Sequence, residues 1–134
     1  MYQIELVKIL KEALDYLGCD PAIISDIDHH STIELTFESS PTLLISFIDE
    51  NVVMWTQLVP VNPNLLIQCA PQIIEPLVAE YEWAANAQLH LVAGDEWYEL
   101  RAILNPEYME NGEKFGMALE SFFELMQRFY KVLK

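Results

Sequence analysis

The hydrophobic rhythm of this chain changes partway along it, and that change limits the folds open to it. Leu6, Leu10, Ala13, Leu14 and Leu17 recur at helical spacing, whereas Ile33, Leu35 and Phe37 alternate with Thr32, Glu34, Thr36 and Glu38. The first pattern lays an apolar stripe along a helix from about Tyr2 to Leu17. The second puts one apolar face on a strand, and a slip of one residue would turn all of its side chains over. Neither stripe nor face is stable alone, so helix and sheet must cover each other.

Punctuation completes the order. Gly18 stands where a helix-ending residue in the left-handed region is needed, and Pro21 prevents continuation. Asp20 and Pro21 supply a cap and a preset first turn, which predicts a short helical turn from Pro21 to Ile27. Turns at Ser39-Ser40-Pro41 and Asp49-Glu50-Asn51 separate the first strand from Thr42 to Ile48 and from Val52 to Leu58, an antiparallel meander. From Asn62 to Trp83 the apolar content is helical, but Pro71 and Pro76 each remove a donor at about 3 kcal/mol, which predicts a late start or a kink. Gln88 to Val92 and Trp97 to Leu104 form a hairpin with Gly94 in the strained position. Phe115, Leu119, Phe122, Met126, Phe129 and Leu133 then mark a last helix from Gly112 to Leu133. The expectation is a single α+β domain over residues 1–134. It has three helices on one face of a five-stranded antiparallel sheet, in the order α-β-β-β-α-β-β-α.

Charge removes whole classes of function. Between Lys11 and Arg101 there is no basic side chain but there are fifteen Asp and Glu, and the net charge is −14. Nucleic acid and anionic membrane surfaces both require a basic footprint, so neither is expected as a partner. The uncharged stretch from Asn51 to Ile74 cannot span a bilayer, because its prolines, asparagines and glutamines would leave polar groups unpaired in hydrocarbon. The N-terminal residues lack a signal-peptide pattern, and Cys19 and Cys69 read as reduced, buried thiols without metal-ligand spacing. A cytoplasmic location is expected.

Chemistry is sparse. Asp26, Asp28, His29 and His30 are the one cluster that could ligate a metal, yet adjacent histidines project in different directions and no helically spaced partner joins them. His90 stands alone. Four glycines do not make a phosphate loop, and neither cysteine has a basic neighbour that would activate it. No catalytic residue, metal or cofactor is expected. An excess of apolar side chains remains: Leu43, Ile45, Phe47, Val53 and Trp55 alternate with Leu44, Ile48, Val52, Met54 and Leu58, so both sheet faces need cover. Such surfaces favour binding another polypeptide at a groove or a sheet edge.

Four pieces of the chain resemble the InvB/SpaK group of class IB type III secretion chaperones. They are Leu17-Gly18-Cys19-Asp20-Pro21 with Ile24; Ile27-Asp28-His29-His30-Ser31-Thr32-Ile33; Met54-Trp55-Thr56-Gln57-Leu58; and Asn111-Gly112-Glu113-Lys114-Phe115. The resemblance implies a small acidic homodimer with no enzymatic activity, which binds the extended N-terminal chaperone-binding region of secreted effectors and keeps it non-globular for export. The export ATPase is a candidate further partner. It also implies a dimer interface on the middle helix and nearby strands, here Leu65, Leu66, Cys69, Ile73, Leu77 and Tyr81 with Leu89 and Leu91. Effector grooves are assigned to Leu6, Leu10, Leu44, Ile48, Val52, Met54 and Trp55, the apolar positions beyond what one core face requires. On that assignment, Asp at Val52 and Met54 abolishes effector binding and leaves the fold intact, whereas unfolding would place the pair in the core. Two alternatives are an acidic inhibitor of a folded partner and a small metal-dependent hydrolase built on Asp26 to His30.

Overall fold

The computed structural model describes residues 3–20, 22, 24–27 and 32–134, the side chains of residues 3, 4 and 24–27 excepted. Its helices are α1 (Gln3–Tyr16), α2 (Pro63–Val78) and α3 (Gly112–Leu133), and its strands are β1 (Ile24–Ile27), β2 (Thr32–Leu35), β3 (Leu43–Ile48), β4 (Asn51–Pro60), β5 (His90–Ala93) and β6 (Trp97–Ile103). All strand pairs are antiparallel, in the order β1-β2-β3-β4-β6-β5. The five expected strands are present. A sixth, β1, lies where a short helical turn was expected from Pro21 to Ile27, and it pairs with β2 from Ile24↔Leu35 to Ile27↔Ile33. The Asp20 cap exists, with the Ala22 N–H donating to Asp20 Oδ1 at 2.9 Å and Ala22 itself in 3-10 helical conformation, but the helical stretch is over by Ile24, where β1 begins. Ladder bonds to β2 then outweigh a helical turn too short to gain from packing.

Gly18 acts as its position predicts. At φ +72° it ends α1, the Cys19 N–H donates to the Leu14 carbonyl at 2.9 Å and the Gly18 N–H to the Asp15 carbonyl at 3.0 Å, which satisfies the last free acceptors. Gly94 departs from expectation. It is not in the left-handed region; its N–H donates to the Trp97 carbonyl, and an added Cβ would lie 3.1 Å from that oxygen. The strained hairpin is the other one, where Asp49 (φ 50°) and Glu50 (φ 67°) are both left-handed between β3 and β4. Such turns favour glycine or asparagine. Glu50→Gly is expected to raise stability by about 1 kcal/mol, read as a higher midpoint in thermal or urea unfolding with the slope unchanged.

No late start delays α2. It runs from Pro63 to Val78 with Pro71 and Pro76 inside it. Asn62 accepts the Leu65 N–H on its side chain at 3.2 Å, and Pro63 takes the first helical position, where no N–H is needed. The carbonyls that lose a donor to the two prolines belong to Ile67 and Gln72, both exposed, so water can serve them. At the far end the Tyr81 hydroxyl donates to the Pro76 carbonyl at 2.7 Å.

The core lies between one sheet face and α1 and α3. Leu6 and Leu10 of α1, Ile33, Ile45, Met54 and Leu100 of the sheet, and Phe115, Phe122 and Phe129 of α3 all have no exposure. Two glycines allow α1 to cross α3 closely: a Cβ on Gly112 would stand 2.5 Å from Glu12 Cβ, and one on Gly116 would stand 2.9 Å from the Tyr16 ring. Buried polar groups are matched. Thr56 Oγ1 donates to the Thr42 carbonyl at 2.8 Å, and Trp83 Nε1 donates to Ser121 Oγ at 2.9 Å while its ring meets Tyr81 and Phe122.

Candidate functional site: an apolar groove with an acidic lip

Where α1 ends, the chain leaves an opening that its own side chains do not fill. Leu14 and Leu17 of the first helix and its cap, Leu35 and Phe37 at the end of β2, Leu43 at the start of β3, and Leu119 and Phe123 of α3 line a cavity of about 420 Å³. Two of them, Leu17 and Phe37, come from places where regular structure stops. Gly18 stops α1 one residue after Leu17, and β2 gives way to a bend after Leu35, so Phe37 leaves the ladder and meets Phe123 at 4.5 Å between ring centroids. Cys19, Asp20 and Glu120 form the lip; both carboxylates are exposed, and so is Cys19, against the expectation of two buried thiols, because it lies past the end of α1 while Cys69 faces α3. A volume of this size, apolar inside and open outside, suits side chains of a ligand better than bulk water.

A second apolar surface lies on α2. Ile67, Ile74 and Val78 are 72, 54 and 73 % exposed, and with Pro71 they follow one another at steps of four, three and four along one stripe. A third is the sheet face turned away from the helices, where Leu44 pairs with Trp55 and Ile48 with Asn51. Ile48 is 51 % exposed, and Trp55 is fixed by its Nε1 donating to Ser46 Oγ at 2.9 Å. Beside it Arg101 Nε donates to Glu99 Oε1 at 2.9 Å.

These surfaces redistribute the residues assigned from sequence. Among the effector-groove residues, Leu44, Ile48 and Trp55 stand on the outward sheet face, but Leu6, Leu10, Val52 and Met54 are core and cannot line an open groove. Alternation shows only that β4 has two apolar faces, and the helices cover the one carrying Val52 and Met54. The interface residues divide between three that the core of the single chain takes and five that it leaves partly open. Cys69, Ile73 and Leu89 are buried, and Leu65, Leu66, Leu77, Tyr81 and Leu91 are half-buried against the same core. Cys69 Sγ lies 3.5 Å from the Val132 carbonyl of α3, so that side of α2 is taken by its own chain. A helix with apolar side chains on two sides offers two candidate faces, and the more exposed one is the stripe from Ile67 to Val78. The sequence reading missed the groove: Leu17 and Phe37 counted there as members of the helix stripe and the strand alternation, and Phe123 lies off the apolar stripe of the last helix.

Chemistry capable of catalysis does not gather at these places. Among the described residues no group of His, Cys, Asp or Glu could hold a metal. Asp28, His29 and His30 lie outside the described residues, and of Asp26 only the backbone, in β1, is described. Tyr81 has its hydroxyl pKa raised, chiefly by burial and further by Glu75 with Arg128 opposing, in keeping with a hydroxyl held in a structural hydrogen bond. No helix among the described residues is long and apolar enough to cross a membrane.

Residues 18–95 match the model of the Invasion protein B family, a segment that begins at the groove lip and runs through β5. Over 133 residues the chain is 32 % identical to the surface presentation of antigens protein SpaK of Salmonella typhimurium and of Salmonella typhi, with 99 % of this chain and 98 % of those proteins covered. Among solved structures, one is the heterodimeric ExoU-SpcU complex of the type III secretion system of Pseudomonas aeruginosa. It aligns with a TM-score of 0.60 at 16 % identity, covering 94 % of this chain and 98 % of that one. A chain of the HopA1-SchA chaperone-effector complex aligns with a TM-score of 0.60 at 14 % identity, over 96 % of this chain and 95 % of that one. YbjN of E. coli, titled a putative transcription regulator, shares the fold at a TM-score of 0.56 and 16 % identity, over 95 % of this chain and 87 % of that one. At such identities the fold is common property and function must rest on the family and the site.

Proposed function

The chain belongs to the Invasion protein B family, and from that premise we propose that two copies of it together hold an extended segment of a secreted effector in the cytoplasm until export. As a member of that family it is a type III secretion chaperone-like protein and not an enzyme. The observation that carries the proposal is the open groove between Leu17, Phe37 and Phe123, whose lip is formed by Cys19 and Asp20 of the Leu17-to-Pro21 piece that resembled chaperones in the sequence. Apolar side chains of the effector would occupy it, stabilised by about 25 cal/mol per Å² buried and opposed by the ordering of the segment. The outward sheet face around Leu44, Ile48 and Trp55 offers a second apolar contact along the same client.

A second copy is the proposed cover for α2. The stripe of Ile67, Pro71, Ile74 and Val78 carries no charge, and β5 is an end strand of the sheet order. Exposed isoleucine and valine in a row are what an interface core requires. Ile74→Asp is expected to convert the dimer to monomer with little change in circular dichroism, as measured by sedimentation equilibrium. A dimer that persists would move the interface elsewhere.

The deciding experiment for client binding is co-expression in a host with a type III secretion system, followed by pull-down and limited proteolysis of what is bound. A long effector segment that is protected in the complex and digested alone is the expected result. Phe123→Glu, at a half-buried position beside Phe37, is expected to lower client recovery at least about tenfold at a stability cost of about 1–2 kcal/mol, with circular dichroism unchanged. Protection of a compact folded domain instead would indicate an inhibitor, and undiminished recovery with Phe123→Glu would remove the groove from the binding site.

A further inference from the structure

We propose that the groove selects client segments in which large apolar side chains are flanked by lysine or arginine, a specificity that rests on the client-binding reading above and adds to it. The floor around Leu17, Phe37 and Phe123 is apolar, and the lip carries two carboxylates, Asp20 from the turn after α1 and Glu120 from α3, with no basic side chain among the lining residues. Neither carboxylate forms an ion pair among the described residues; the pairs there are Arg101 with Glu99 and Lys114 with Glu110. Among the described residues Asp20 accepts the local Ala22 N–H. An apolar segment entering the groove displaces water from both carboxylates, which costs free energy unless a cation replaces that water. Lysine and arginine fit this arrangement doubly, because their alkyl stems lie along apolar surface while the charged heads reach the lip. A segment with Asp or Glu at the same places would meet like charge as well as lost hydration, so the lip rejects acidic clients as actively as it favours basic ones.

The probe is a pair of synthetic amphipathic peptides with the same apolar positions, one flanked by lysines and the other by glutamates, measured against the intact protein by fluorescence anisotropy. Cys19 reports the place of binding, since it is exposed at the groove lip while Cys69 is buried, so a bound peptide should slow Cys19 alkylation by iodoacetamide. The lysine peptide is expected to bind about fivefold or more tighter at low salt, with the gap closing as salt is raised. Asp20→Asn, which keeps the oxygen that accepts the Ala22 N–H, combined with Glu120→Gln, is expected to erase the preference while both residues' exposure spares the fold. Equal affinities, binding by neither peptide, or a preference that survives the double substitution would overturn the inference. Equal affinities together with Cys19 protection that is lost in Phe123→Glu would overturn the charge selectivity alone and leave the groove as a client site.

Discussion

Met54→Asp is expected to leave most of the chain unfolded at room temperature, with the loss of near-ultraviolet circular dichroism and of a cooperative thermal transition as the readout. Met54 has no exposure, and it stands between Ile45 on β3 and Ala102 on β6 at the centre of the sheet, under α1 and α3. A carboxylate there has neither water nor a cation, so it must either remain charged at great cost or take up a proton, and both routes destabilise by about 4 kcal/mol or more. That is a large part of what a domain of this size has in reserve. Met54→Leu, which conserves volume, should cost less than about 1.5 kcal/mol and retain client binding. A folded Met54→Asp protein that has lost only its client would instead return Met54 to the groove and overturn the burial found here.

Gly112→Leu is expected to detach α1 from α3 and so remove both stability and client binding. The first residue of α3 lies against the backbone of α1, where an added Cβ would stand 2.8 Å from the Glu12 carbonyl carbon, a contact that no side-chain rotation can relieve. A leucine must therefore move the helix, at about 3 kcal/mol, and the displacement carries Leu14 and Leu17 away from the groove. The check is a urea midpoint together with client pull-down. A stability change below about 0.5 kcal/mol would mean that the two helices do not cross here. Gly116→Ala should act in the same direction and more mildly, since its nearest contact is the movable Tyr16 ring.

How much of this was legible beforehand depended on whether a signal was local. The end of α1 was, because Gly18 serves a backbone geometry set by its immediate neighbours. So was α3, whose apolar stripe spans enough turns that Phe115, Phe122 and Phe129 could face only one way. The prolines of α2 misled about where it starts because their cost was judged as for an isolated helix, whereas Asn62 and Pro63 start this helix and the exposed Ile67 and Gln72 carry the carbonyls that lose a donor. Asp20 announced the helical turn at Ala22 but not how soon it ends, because only the partner strand Thr32–Leu35 draws Ile24–Ile27 into the sheet.

Periodicity along the chain was enough to dictate which residues share a face, so the α+β architecture and its surplus of apolar surface follow from the order of residues alone. Which of two apolar faces turns inward does not follow from it. Val52 and Met54 against Val53 and Trp55, or Cys69 and Ile73 against Ile67 and Ile74, are equivalent patterns until α3 packs on one member of each pair and leaves the other to solvent. The groove likewise required Leu17, Phe37 and Phe123, distant in sequence, to be brought to one opening. Local steric and hydrogen-bonding preferences are written residue by residue, whereas burial is a property of what arrives from elsewhere in the chain.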